Sequence, residues 1–136
     1  LTSITIANSI INIGTQTFAD WSLLNNIIIP NGVTSIGGAF TNCIGLTTIN
    51  LPNSISTFHS GAFTSCMNLE FITLGNGFNC SISISASTKY SRDTLMAIIN
   101  AYVNASGKTL TMGTTNLAKL STEDKAVASN KGLTLA

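Results

Sequence analysis

Apolar residues fall at the same offsets four times through the first half of the chain. Leu1, Leu24, Leu46 and Leu69 align, as do Ile4, Ile27, Ile49 and Ile72, and then Ile6, Ile29, Leu51 and Leu74. The spacing is L-x-x-I-x-I. Alternation of its last three positions predicts a strand with one buried face. A turn follows each copy: Ala7-Asn8-Ser9, Pro30-Asn31-Gly32, Pro52-Asn53-Ser54 and Gly75-Asn76-Gly77. Asparagine holds one place in all four, where its short amide bonds nearby backbone and tolerates left-handed dihedrals. A second apolar pair, at Ile10/Ile13, Val33/Ile36 and Ile55/Phe58, predicts a second short strand on the opposite side of a coil. A third patch closes it: Phe18 with Trp21, Ala39-Phe40 with Cys43, and Ala62-Phe63 with Cys66.

The unit is thus 22–23 residues long, with three complete copies and a fourth that loses the pattern after Phe78. Repetition at so short a period predicts a solenoid, in which each unit buries its apolar face only against its neighbours. Stacked coils place equivalent residues about 4.8 Å apart along a parallel sheet, so the leucine and isoleucine stripes become continuous ladders. We expect residues 1–80 to form the repeats and residues 81–136 to form a capping unit of the same domain.

From Ser81 the pattern changes. Ser81 to Ser85 alternates as a strand. Ser91 is a helix N-cap with Asp93 in the first turn, and Leu95, Ile98, Ile99 and Tyr102 have helical spacing. Thr109 to Met112 predicts another strand, with Leu110 and Met112 inward. Leu117 and Leu120 cover the next turn. Ser121 with Asp124 is a variant capping box opening a helix to about Asn130. Gly132 stands where a C′ glycine belongs, and Leu133-Thr134-Leu135 is a last strand. A solenoid end must cover its core ladder with a polar outer face. Nine of the eleven charges lie after Ser87, which fits a strand–helix cap.

The pattern L-x-x-I-x-I-P-N-x-V-x-x-I-G-x-x-A-F-x-x-C resembles the BspA-type leucine-rich repeat family from about Leu1 to Phe78. Departures are Ala7 for Pro, Trp21 for Cys, His59 for Gly and the decayed fourth copy. The resemblance implies an α/β repeat: a right-handed leucine-rich-repeat solenoid of β-rich coils, with a parallel sheet on one face. It also implies a secreted or cell-surface protein, bacterial or protist, that binds macromolecules of a host or neighbouring cell.

Composition narrows the function. Net charge is +1, and only 8% of residues are charged, with no basic patch for nucleic acid. No apolar run approaches the ~18 residues that cross a bilayer. Leu1 opens in phase with the repeat and without Met, so we expect further residues upstream. Only Asp20 and Glu70 are charged in residues 1–88; Thr, Ser and Asn cover the repeats instead. Like charges stacked rung on rung would repel, so this neutrality serves the fold; it also suits a surface adapted to glycans or proteins. Cys43 and Cys66 share one repeat position and are expected to be core thiols, as small hydrophobes. With one His and no C-x-x-C, neither a metal site nor a cofactor is expected.

The outward positions of L-x-x-I-x-I are the candidate partner-binding residues: Ser3, Thr5, Asn26, Ile28, Thr48, Asn50, Phe71 and Thr73. Ile28 and Phe71 stand out among small polar neighbours, and an exposed aromatic can anchor a partner. His59 takes a turn position, and no nucleophile with an acid partner is readable near it, so no catalytic residue is assigned. Two readings stay open. One is a non-catalytic binding module engaging a protein or glycan through the sheet face. The other is a structural spacer or tip domain of a larger bacterial or phage-encoded assembly. The uncapped first coil, residues 1–18, is in addition expected to pair end to end with another copy.

Overall fold

The computed structural model describes residues 2–136; Leu1, the first rung of the leucine ladder, lies outside the described residues. The L-x-x-I-x-I segments form strands β1 (Ser3–Thr5), β3 (Asn26–Ile28), β5 (Thr48–Leu51) and β7 (Phe71–Leu74). They pair in parallel in the order β1-β3-β5-β7, and the register sets Ile4, Ile27, Ile49 and Ile72 side by side. The second apolar pair forms β2 (Asn12–Ile13), β4 (Ser35–Ile36) and β6 (Thr57–Phe58), a second parallel sheet. Parallel sheets carried on two walls, with the apolar ladders between them, make a repeat solenoid. The core runs its length: Leu24, Leu46, Leu69, Ile27, Ile49, Ile36 and Phe40 are all buried.

The third patch is a stack of rings and thiols. Phe18, Phe40 and Phe63 lie nearly parallel at 5.5 and 5.8 Å. Cys43 and Cys66 are free and buried, and each S–H donates to the carbonyl of the preceding coil's phenylalanine, Phe18 at 2.9 Å and Phe40 at 3.1 Å. Cys80 does the same to Ile55 at 3.3 Å. Burial pushes all three thiols up, that of Cys66 to about 12, so they stay protonated.

The left-handed positions differ from expectation. The turn asparagines are not left-handed; the non-glycine residues with positive φ are Gln16, Asp20, Asn42 and Ser65, and in the fourth turn it is Gly77, not Asn76, that takes a positive φ. Asp20, Asn42 and Ser65 hold one repeat position, immediately before Trp21, Cys43 and Cys66. In the three complete copies the corner into the core, not the turn after the first strand, is therefore where the backbone becomes left-handed. Asp20 and Asn42 are of the residue types that best tolerate it, and Asn42 Nδ2 donates to Asp20 Oδ1 at 3.0 Å. One turn asparagine bonds between coils: Asn53 Nδ2 donates to the Asn76 carbonyl at 2.8 Å.

Both walls change after β7. Three residues separate Phe78 from Ile82, where two separate Ile55 from Phe58. With register lost, β8 (Ile82–Ser83) pairs not with β6 but with β9 (Lys108–Thr111), which in turn pairs with β10 (Leu133–Leu135); all three are parallel. On the other wall helix α1 (Arg92–Ala101) packs against β7, and α3 (Thr122–Asn130) packs against α1. A short helix α2 (Gly113–Leu117), absent from the sequence reading, leads from β9 towards α3.

Side chains fasten these pieces. Ser91 caps α1 through the Thr94 N–H, and Leu95, Ile98 and Ile99 are its buried face. The Tyr102 hydroxyl donates to the Cys80 carbonyl at 2.7 Å. Ser121 and Asp124 form a complete capping box on α3. The buried Asp124 carboxylate also accepts from Arg92 Nε at 2.8 Å and Nη2 at 2.5 Å, joining the two helices by a fork. These Arg92 bonds, with the Ser121 N–H, hold the Asp124 carboxyl below the usual carboxylate range.

Candidate binding face

Alternation in β1, β3, β5 and β7 turns one side chain in and the next out. Because the strands are in register, the outward residues form two straight rows. One row is Ser3, Asn26, Thr48 and Phe71; the other is Thr5, Ile28, Asn50 and Thr73. Rungs are about 4.8 Å apart, so all eight candidate residues meet on one surface some four strands wide. Seven of them are exposed. Thr48 differs: it is half-buried in an inner strand between Asn26 and Phe71.

Two apolar side chains break the polar rows. Ile28 is 62% exposed and Phe71 is 54% exposed. Large hydrophobes so open gain by meeting a partner, at about 25 cal/mol per Å² of apolar surface covered. Beside Ile28 the face dips into a cavity of about 240 Å³, lined by Ile4, Thr5, Ile6, Asn8, Ile28 and Pro30. Among the described residues the only charged side chain beside the rows is the half-buried Glu70, next to Phe71. The face therefore offers hydroxyls, amides and two apolar anchors without a field to steer ions.

A second apolar line was missed in the sequence. Leu23, Ile44 and Met67 are 68%, 43% and 57% exposed at the corners that lead into β3, β5 and β7. The available signal was an apolar residue one or two places before each leading leucine, outside the inward stripe. The Asn68 side-chain amide donates to the Ile44 carbonyl at 2.7 Å and ties two of these corners together.

His59 is exposed, and its Nδ1 accepts from the Gly61 N–H at 3.1 Å, a turn contact. Among the described residues no group of three or more His, Cys, Asp or Glu side chains could hold a metal ion. No helix among them is long and apolar enough to cross a membrane.

A family model described as "BspA type Leucine rich repeat region (6 copies)" matches residues 1–104. Neither the curated proteins nor the solved structures give a match.

Proposed function

We propose that this chain, which belongs to the BspA-type leucine-rich repeat family, is a non-catalytic binding module that engages a protein or glycan through the outer face of β1, β3, β5 and β7. The family suggests a protein-interaction module and is generally non-catalytic. The observation that carries the reading for this face is the pair Ile28 and Phe71, large apolar side chains more than half exposed on an otherwise small and polar surface. Phe71 would anchor the partner, and the Asn and Thr rows would meet its polar groups. In this reading the coil is right-handed, the hand that crossovers between parallel strands adopt in about 98% of cases. Residues 81–136 close the stack, and the protein works at the surface of a bacterium or outside it.

Pull-down and glycan-array measurements with the parent chain and Phe71→Ala test this. A ligand held by the parent and lost by Phe71→Ala, with circular dichroism unchanged, supports the module. A ligand held equally by both places the site elsewhere. The neutral, uniform coil surface also suits a spacer or tip domain of a larger bacterial or phage-encoded assembly. The absence of any ligand in both assays favours that second reading.

A further inference from the structure

We propose that the cleft between the third coil and strand β8 is a binding site for a tetrahedral oxyanion, the sulfate or phosphate group of a ligand. The cleft follows from the loss of register after β7. In the closing wall each earlier coil hands two backbone N–H groups forward to the next. Phe18 and Asp20 donate to the Ala39 and Thr41 carbonyls, each at 2.9 Å, and Phe40 and Asn42 donate to those of Ala62 and Thr64 at 3.1 and 2.9 Å. Phe63 and Ser65 hold the same two places in the third coil. Their N–H groups meet no carbonyl and no side chain among the described residues. Phe63 is only 2% exposed, and a buried N–H calls for an acceptor.

Where the next coil's carbonyls would stand, a cavity of about 170 Å³ opens instead, with Ser60, Phe63 and Ser65 on one side and Ser83 and Ser85 on the other. The far side adds donors. The Ile84 N–H goes to the Thr111 carbonyl of β9 at 2.8 Å, so alternation along β8 turns the Ser83 N–H away from β9, towards the third coil. The Ser83 and Ser85 hydroxyls border the same space, 3.2 Å from each other. Every polar side chain in the lining is a hydroxyl, which can donate, and no carboxylate stands there to repel a negative charge. Backbone N–H and hydroxyl dipoles gathered in a concavity hold anions without a formal counter-charge. Because the donors stand on two opposed walls, they suit an acceptor with oxygens on all sides; a carboxylate presents only two, in one plane. The site lies on a different wall from the face of β1, β3, β5 and β7, and does not depend on what that face binds.

Titration of the isotope-labelled parent chain with sodium sulfate and with sodium phosphate, followed by amide NMR at an ionic strength held constant with chloride, tests the site. The expected result is saturable movement of the Phe63, Ser65 and Ser83 amide signals with either ion, and the ion bound more tightly names the group that the ligand carries. Acetate should bind about tenfold or more weakly. Ser83→Ala with Ser85→Ala should weaken the tighter ion about tenfold. Ser83→Asp sets a carboxylate in the cleft and should abolish binding with circular dichroism unchanged, whereas Ser9→Asp, the same change of charge in the first coil, should leave it intact. Signals that never saturate, that centre on the lysines beyond Ser87, or that chloride alone reproduces overturn the proposal on the parent chain itself. Binding that persists in Ser83→Asp, or acetate held as tightly as sulfate and phosphate, overturns it too.

Discussion

The isoleucine ladder offers one substitution in four chemically identical places, differing only in their position along the stack. Ile49 is fully buried, with Ile27 and Ile72 on its two flanks; Ile4 is half-buried, with a rung on one flank only among the described residues. Ile49→Ala removes three buried carbons, about 2.4 kcal/mol at ~0.8 kcal/mol each. If about half of the ~75 Å³ vacated stays empty, the cavity adds ~1 kcal/mol, for a total of about 3.5 kcal/mol. At Ile4 half the transfer is already lost to solvent and no closed cavity forms, which leaves about 1.2 kcal/mol. Urea unfolding separates the two by probe as well as by size. Trp21 is the single tryptophan and sits in the first coil, edge-on to Phe18 at 5.3 Å, so its fluorescence reports that coil while far-UV circular dichroism reports the whole. Ile49→Ala should lower both midpoints together by roughly 1–3 M. Ile4→Ala should move the fluorescence transition ahead of the dichroism, because an end coil can fray without its neighbours. Equal costs at the two sites with coincident transitions would refute the end-rung reasoning.

Gly45→Ala should unfold the second corner or cost several kcal/mol, since its Cβ would lie 2.1 Å from the Ser22 carbonyl oxygen; thermal melting checks it. At the left-handed Asn42, Asn42→Gly should be close to neutral, whereas Asn42→Val should cost roughly 1–2 kcal/mol in the same melts. The Asp124 carboxyl is held low when folded, so its stabilisation is complete above the unfolded value of about 3.9 and is lost as pH falls through the folded one. The melting temperature should therefore drop in acid below about pH 4, and Asp124→Asn should flatten that limb. The three thiols should resist a disulfide reagent at pH 8 and all react in denaturant; rapid labelling of Cys66 in the native protein would contradict its place in the core.

The ladders were legible because every coil repeats the same inward choice: Leu24, Ile27 and Ile29 already specify what Leu46, Ile49 and Leu51 must do. The start of α1 at Ser91 and both ends of α3, at Ser121 and Gly132, were legible, since caps are local chemistry; α1 stops earlier than its spacing suggests, at Ala101, with Tyr102 already extended. The helix α2 was not, because Gly113 to Leu117 is one turn without apolar periodicity and is held from outside, with Asn116 Nδ2 bonded to the Ser87 and Met112 carbonyls at 2.8 Å each. The left-handed corner was visible as Asp20, Asn42 and Ser65 in one repeat position, but the more conspicuous Pro-Asn turns drew the assignment. The eight outward residues followed from alternation alone. The exposed corner line of Leu23, Ile44 and Met67 did not, because it depends on which way a turn faces.

Replacing strands by helices on one wall has a consequence for shape. Neighbouring strands are about 4.8 Å apart, whereas packed helices such as α1 and α3 need about 8–10 Å between axes. The wall of β8, β9 and β10 keeps the strand spacing while the opposite wall takes the helix spacing. Each unit beyond β7 is therefore a wedge, thicker by about 4 Å on its helical side. The stack must fan towards β8–β10 from Arg92 onward, so a flat coil of the earlier kind could not seat on both walls there.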